Sequence, residues 1–291
     1  MNDLQSALLH ANPALSRFDP LDRILFLDDF DRGMCGWSQL IGNYEHTLDS
    51  LLPGYRDLRP PQLSNLTMWD TGTAGSMDGT YALKLATRPR KDSLSVAIKR
   101  QTFRHYGKLQ LEAYVCFKPE ASELRLLATD VRAFGVGLDI QDGYHNQRAR
   151  WMPHLRYLNA VDGERIGQWQ TRPQSGPVHD IGNTGETVSH FHLSKEGWVD
   201  VPNGHVLTMY NEIATKMNWS YLKVGVDLQE QRFTGFKFDD NVYPADGMTV
   251  ITLPPFRNVF AMLNVFFWVE ADTDKRAFLY VDSVLLSGEL A

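Results

Sequence analysis

The densest run of residues able to do chemistry lies at positions 139–157. It holds Asp139, Gln141, Asp142, Tyr144, His145, Asn146, Gln147, Arg148, Arg150, Trp151, His154 and Arg156. Carboxylates, guanidiniums and rings in one stretch are what a sugar site uses: planar polar groups for pairs of hydroxyls, and a ring for the C–H face. Strand alternation sends Asp139 and Gln141 to one side, and Arg148 and Arg150 share a side with each other. Glu112 and Tyr114 leave the core in the same way on another strand. If these strands are neighbours, one sheet face presents Tyr114, Gln141, His145, Arg148, Arg150 and Trp151 to a ligand. Glycoside hydrolysis needs two carboxyl groups about 5–10 Å apart, and Glu112 with Asp139 is the pair the sequence offers. The competing reading is a solvated sheet face on which Arg–carboxylate pairs hold strands in register.

Two further sets have the chemistry of metal ligands. His190 and His192, at i and i+2 on an extended segment, point the same way, and Glu196 completes a set suited to a transition metal. His179 and His205 are near enough in sequence to assist. The competing reading is a loop with surface histidines. Asp28, Asp29 and Asp31 near the first strand, with Asp282 near the last, are clustered hard oxygen ligands, and Asp28, Asp29 and Asp282 are the expected holders of a structural Ca²⁺. Turn chemistry and backbone hydrogen bonds are the alternative. No other cofactor is implied. Nucleophile signals are poor: there is no Gly-x-Ser-x-Gly elbow and no Gly-rich phosphate loop after a strand.

The elements that must position these residues are mostly strands. Residues 81–86, 93–99, 108–117, 133–141, 149–158 and 166–170 form a rhythm of short apolar–polar runs separated by turn residues, the mark of a sandwich or barrel. Leu109, Leu111, Ala113, Val115 and Phe117 alternate with Gln110, Glu112, Tyr114 and Cys116. Val136, Leu138 and Ile140 alternate with Gly135, Gly137, Asp139 and Gln141. Later strands are predicted over 220–227, 232–238, 241–243, 259–270 and 276–286. A short amphipathic helix is expected within 2–18, ended by Asn12 and Pro13, and a second over 206–217. Residues 42–79 and 172–205 read as loop-rich. Among the tryptophans, Trp219 and Trp268 sit in strand patterns and are read as structural, whereas Trp151, Trp169 and Trp198 border polar loops and are the stacking candidates.

The totals exclude some partners. The chain has 291 residues, 29 Lys and Arg against 35 Asp and Glu, and a net charge of −6. The charges are interspersed, with no basic block for a nucleic-acid backbone. No apolar run reaches the roughly 20 residues that span a bilayer. Residues 1–20 lack a secretion-signal pattern, so a cytoplasmic location is expected. The two cysteines, Cys35 and Cys116, suit a reducing compartment or buried small hydrophobes; a disulfide between them is the alternative.

Three segments carry a family resemblance. ILFLDDFDRGMCGW at 24–37 resembles the opening strand of concanavalin A-like lectin/glucanase sandwiches, in which an acidic-Asp-Phe-acidic segment precedes a Gly and a Trp. RAFLYVDSVLLSG at 276–288 resembles their closing strand, and NWSYLKVGVDLQEQRFTGFKFDDNVY at 218–243 their strand–turn–strand meander. The resemblance covers most of residues 24–288 as pattern. It implies an all-β, two-sheet antiparallel jelly roll over residues 24–291, preceded by an N-terminal extension at 1–23. It also implies an uncharacterised family within a superfamily of sugar-binding modules, glycoside hydrolases and polysaccharide lyases. The Glu-x-Asp-x-x-Glu strand of its retaining glucanases is absent; the nearest string, Glu270 to Asp274, is placed in a hairpin turn. The Arg-rich and Gln-x-His strands of its lyases are absent as well. His190 to Glu196 resembles the first half of the cupin metal motif, but the second half follows too soon and in the wrong register. The expectation is therefore a carbohydrate-recognition protein with an oligosaccharide or small-molecule ligand. The alternatives are a hydrolase or lyase using an acid/base pair on the same face, and a metal enzyme built on the histidines.

Overall fold

The computed structural model describes residues 3–39, 59–64, 75–102, 107–120, 128–141, 150–173, 178–180, 187–189, 195–207, 217–253, 255, 259 and 261–289. One helix, α1 (Asp3–Ala11), opens the chain. It stops at Asn12-Pro13, where the Asn12 side chain accepts the Ala14 amide at 3.0 Å and the proline lacks an N–H for the helical ladder. The helix expected over 206–217 falls almost wholly outside the described residues.

The strands form two large sheets. The first has eight strands: β1 (Arg23–Asp28), β3 (Gln62–Leu63), β4 (Leu83–Ala86), β6 (Lys108–Pro119), β14 (Ser220–Asp227), β15 (Arg232–Phe238), β16 (Asn241–Pro244) and β19 (Ala277–Gly288). Its order is β16-β15-β14-β6-β19-β4-β3, with β1 beside the C-terminal half of β19. The second has nine: β2 (Trp37–Gln39), β5 (Leu94–Thr102), β7 (Val131–Gln141), β8 (Arg150–Met152), β9 (His154–Val161), β10 (Glu164–Thr171), β13 (Val199–His205), β17 (Ile251–Leu253) and β18 (Met262–Ala271). Its order is β13-β10-β9-β7-β18-β5-β2, with β8 and β17 extending one side of β7. A hairpin of β11 (Val178–Asp180) and β12 (Thr187–Ser189) stands apart. The chain crosses between sheets at β5 to β6, β6 to β7 and β18 to β19, and its first strand pairs with its last. This is the expected two-sheet antiparallel sandwich with jelly-roll crossings.

Alternation decides which residues meet inside. Leu109, Leu111, Ala113, Val115 and Phe117 of β6 pack in one buried core with Phe134, Val136, Leu138 and Ile140 of β7 and Val265, Phe267 and Val269 of β18. Burying each such large apolar side chain contributes about 1.5–3 kcal/mol, so a one-residue slip that turned a strand over would forfeit many of these at once. The alternate residues are forced outward. Glu112 and Tyr114 leave from the eight-stranded sheet, and Asp139 and Gln141 from the nine-stranded sheet. The expected acid/base pair of Glu112 and Asp139 is therefore corrected: β6 and β7 lie in different sheets, and the whole core separates the two carboxylates.

The strand expected over 149–158 is split at Pro153, which has no N–H for a ladder. Both pieces still pair with β7, β8 opposite Ile140 and Gln141 and β9 opposite residues 133–137. The parity that turns Arg150 outward turns Trp151 inward, where it is 1% exposed in the core. Trp151 and Trp169 are thus core residues, not stacking platforms. Cys35 and Cys116 are both free thiols.

Candidate functional site

The outer face of the nine-stranded sheet is built by β18, β7 and β9. In register, Trp268 of β18 lies opposite Gly135 of β7, Phe266 opposite Gly137, and Asn264 opposite Asp139. The two glycines leave room for rings: a Cβ on Gly135 would come within 2.3 Å of the Trp268 indole nitrogen, and one on Gly137 within 2.3 Å of Phe266. The rings therefore lean across β7 and reach β9, where the Trp268 Nε1–H donates to His154 Nε2 at 2.9 Å. That bond fixes Nε2 as an acceptor and places the imidazole proton on Nδ1. Phe266 and Trp268 belong to a second apolar cluster outside the main core, with Trp198 packed against it, and the buried His154 meets the Phe266 and Trp268 rings edge-on.

At one end of this cluster apolar surface gives way to charge. The Arg156 guanidinium lies 4.2 Å from the centroid of the Trp198 ring, and that of Arg172 lies 5.4 Å from it. His154 meets the same indole edge-on, with centroids 4.7 Å apart. Arg156 Nε donates to Gln170 Oε1 at 2.7 Å, and Gln170 Nε2 passes the chain on to Asp200 Oδ1 at 2.7 Å. Burial pushes Arg156 down to about 9 and Arg172 down to about 10. Glu270, the last outward residue of β18, sits 3.6 Å from Arg132 Nε. Its burial pushes the carboxyl up to about 7, against the pull of Arg132 and Arg156. Arg132 also holds Asp272 at 3.1 Å. Trp198 is half-buried and Asp200 exposed, so the array opens to solvent at these two residues.

The other end of the face is closed. Arg150 grips Asp139 with two hydrogen bonds of 2.8 Å, Nε to Oδ1 and Nη2 to Oδ2. Asn264 adds a longer contact of 3.4 Å to Oδ2. Gln141 donates to the Val259 carbonyl at 2.7 Å. These groups lie where the sequence places them, on one face, and are engaged as a clamp between β7, β8 and β18.

The remaining expected site residues are scattered. Glu112 accepts the Asp19 amide at 2.9 Å, Gln110 Nε2 at 2.8 Å and the Tyr221 hydroxyl, so its two oxygens hold the N-terminal segment to the eight-stranded sheet. Tyr114 stands on that same opposite face and donates to the Arg17 carbonyl at 3.3 Å. His145, Arg148, His190 and His192 lie outside the described residues, and Glu196 is exposed. The carboxylates expected to hold calcium are engaged within the protein. Asp28 Oδ2 accepts from Lys99 Nζ at 2.6 Å and Trp37 Nε1 at 2.8 Å, while Asp29 Oδ1 accepts the Asp31 amide at 3.2 Å. Asp282 accepts backbone amides of Met77 at 2.8 Å and Ser283 at 2.7 Å. Among the described residues no three His, Cys, Asp or Glu side chains are grouped to hold a metal.

The sequence reading missed Glu270, Arg172, Gln170 and Asp200. A signal existed for the first. The outward set of β18 is Asn264, Phe266, Trp268 and Glu270, and glycines alternate on the neighbouring β7. Large rings facing a row of glycines mark a face on which side chains cross between strands. The predicted strand ends at Glu270, and that residue enters only as the start of the string that runs into the hairpin turn.

The chain matches the family model described as "Domain of unknown function (DUF6772)" over residues 5–290, and it belongs to that family. No curated protein matches it in sequence. Among solved structures it is similar to the Emp47p carbohydrate recognition domain, with 11% identity and a TM-score of 0.36, covering 94% of this chain and 100% of that one. It is similar to the cellulose induced protein Cip1, with 12% identity and a TM-score of 0.42, covering 91% and 99%. It is also similar to a glycoside hydrolase family 16 endo-glucanase from Bacteroides ovatus, with 12% identity and a TM-score of 0.41, covering 90% and 100%.

Proposed function

We propose that this protein recognises an oligosaccharide on the outer face of the nine-stranded sheet, at the end marked by Trp198. The observation that carries the reading is the meeting of Arg156 and Trp198 at 4.2 Å, with Gln170 and Asp200 linked to the same guanidinium. A half-buried indole offers an apolar surface to the C–H face of a pyranose. The guanidinium, amide and carboxylate beside it supply fixed donors and acceptors for adjacent hydroxyls. Their own hydrogen-bond chain holds them in place before a ligand arrives, which reduces the ordering cost of binding. A thermal-shift screen of the intact protein against neutral oligosaccharides tests this, because a ligand that binds only the folded state raises Tm. A saturable rise that disappears in Trp198→Ala is the expected result. No rise across glucan, xylan, mannan and chitin oligomers would overturn the reading.

One observation favours a second reading, a hydrolase or lyase. Glu270 is a buried carboxyl brought to about 7, the range in which a general acid or base works near neutrality. In that reading Glu270 takes the acid/base role that the Glu112–Asp139 pair cannot fill. Release of reducing ends or unsaturated ends from the ligand found in the screen, abolished in Glu270→Gln, would establish it. Binding without turnover would leave recognition as the function.

A further inference from the structure

The eight-stranded sheet has an outward face of its own, and the N-terminal segment crosses it. Between that segment and strands β6, β14 and β15 lies an open groove of about 570 Å³, within the size range of small-ligand sites. Its floor is made by Tyr114 and Tyr221, which face each other across β6 and β14 with ring centroids 5.4 Å apart. Both hydroxyls are turned to the protein, Tyr114 to the Arg17 carbonyl and Tyr221 to Glu112. Burial first, and the Glu112 carboxylate second, push the Tyr221 phenol far above its ordinary value, so it remains a neutral donor. The floor thus offers ring surface to the groove.

The wall carries an unusual pair. Lys223 of β14 and Lys237 of β15 are directly opposite in register and both line the groove. Like charges facing each other across strands are destabilising. Lys223 is neutralised by Asp19 at 2.7 Å. Among the described residues Lys237 has no carboxylate within ion-pair distance; its ammonium stands 5.8 Å from the Tyr221 ring. Asp239, two residues on, has Oδ1 engaged by the Tyr221 amide at 2.8 Å. The groove therefore combines an aromatic floor with a lysine that has no ion-pair partner among the described residues, although Asp239, which feels its charge, and Asp240 line the same groove at longer range.

We infer that this groove binds a small acidic sugar, its ring over Tyr114 and Tyr221 and its anionic group on Lys237. The paired phenols offer the sugar ring an apolar surface, and the Lys237 ammonium offers its anionic group a charge-assisted hydrogen bond. The site is on the opposite side of the sandwich from Trp198 and does not depend on the function proposed there.

Calorimetric titration of the intact protein with glucuronate, glucose 6-phosphate and glucose tests it. An acidic sugar should bind at least about tenfold more tightly than glucose, and Lys237→Ala should remove about tenfold of that affinity while Lys237→Arg retains it. Trp198→Ala should leave this binding unchanged, which separates the groove from the other face. Response to glucuronate alone assigns a carboxylate, and response to glucose 6-phosphate alone assigns a phosphate; either supports the site. No saturable heat with either acidic sugar overturns it, as does equal affinity for glucose or an unchanged affinity in Lys237→Ala.

Discussion

On the eight-stranded sheet the carboxylate of Glu112 faces outward and is nonetheless fully buried, because residues 17–19 cross over it. On the nine-stranded sheet Glu270 also faces outward and is also buried, among Arg132, Arg156 and a row of rings. The first carboxylate receives three donors from its own chain and works as a fastening. The second is held away from water without a close donor set, its ion-pair contact at 3.6 Å, and its acidity is displaced toward neutrality. Burial of an outward polar residue therefore has two meanings, and the partners distinguish them. A group saturated by backbone and neighbouring side chains builds the fold. A group shifted by burial beside cations and a half-buried indole is a candidate for contact with a ligand or a proton.

The comparison can be broken most forcefully at Glu112. Glu112→Ala leaves the Asp19 amide, the Tyr221 hydroxyl and the Gln110 amide without their acceptor, and should lower stability by about 3–4 kcal/mol, read as a shift of the urea midpoint. Ligand binding at Trp198 should be untouched in the folded fraction. An E112A protein as stable as the wild type would remove the fastening role.

Glu270 should declare itself through pH. Its carboxyl is raised from 4.5 to about 7 on folding, so the folded state holds the proton more tightly than the unfolded one. Stability from this group is then fully present below about pH 4.5, declines as pH rises through 7, and is flat above, a loss on the order of 3 kcal/mol. Glu270→Gln should flatten that decline. Asp282, raised from 3.8 to about 7, contributes a decline of the same sign, so Asp282→Asn should remove the remainder. Denaturation midpoints from pH 4 to 8 measure both; stability rising with pH in wild type but not in E270Q would contradict the assignment.

Gly135→Ala sharpens the comparison from the packing side. A Cβ at 2.3 Å from the Trp268 indole must displace the ring that holds His154. A cost of about 1–3 kcal/mol follows from overpacking, together with a weaker ligand response at the adjoining Trp198. The same change at the exposed Gly163, where a Cβ meets nothing, tests only the backbone strain of its φ of 84°.

Much of the fold was legible because burial and alternation coincide. The strands over 220–227 and 232–238 are those read from the sequence, and the parity of β6 and β7 is as predicted. The site was less legible because alternation says which residues leave a strand, not which sheet the strand joins. Glu112 and Asp139 both leave the core, on opposite sides of it. Trp151 shows a different failure: its polar neighbours suggested a surface, while its own parity with Leu155 and Tyr157 already placed it inside. Glu270 was hidden by its position beside a turn, where a hairpin's last paired residue looks like its first loop residue.

The central claim is that Trp198 and the groups tied to it form the recognition surface. Calorimetric titration of wild type and Trp198→Ala with the oligosaccharide that gives the largest thermal shift tests it most directly. The account predicts at least about a tenfold loss of affinity in the variant, as expected for removing a stacked ring, with a Tm within about 3 °C of wild type because Trp198 is only half-buried. Unchanged affinity in a folded Trp198→Ala protein would contradict it and move recognition off this face.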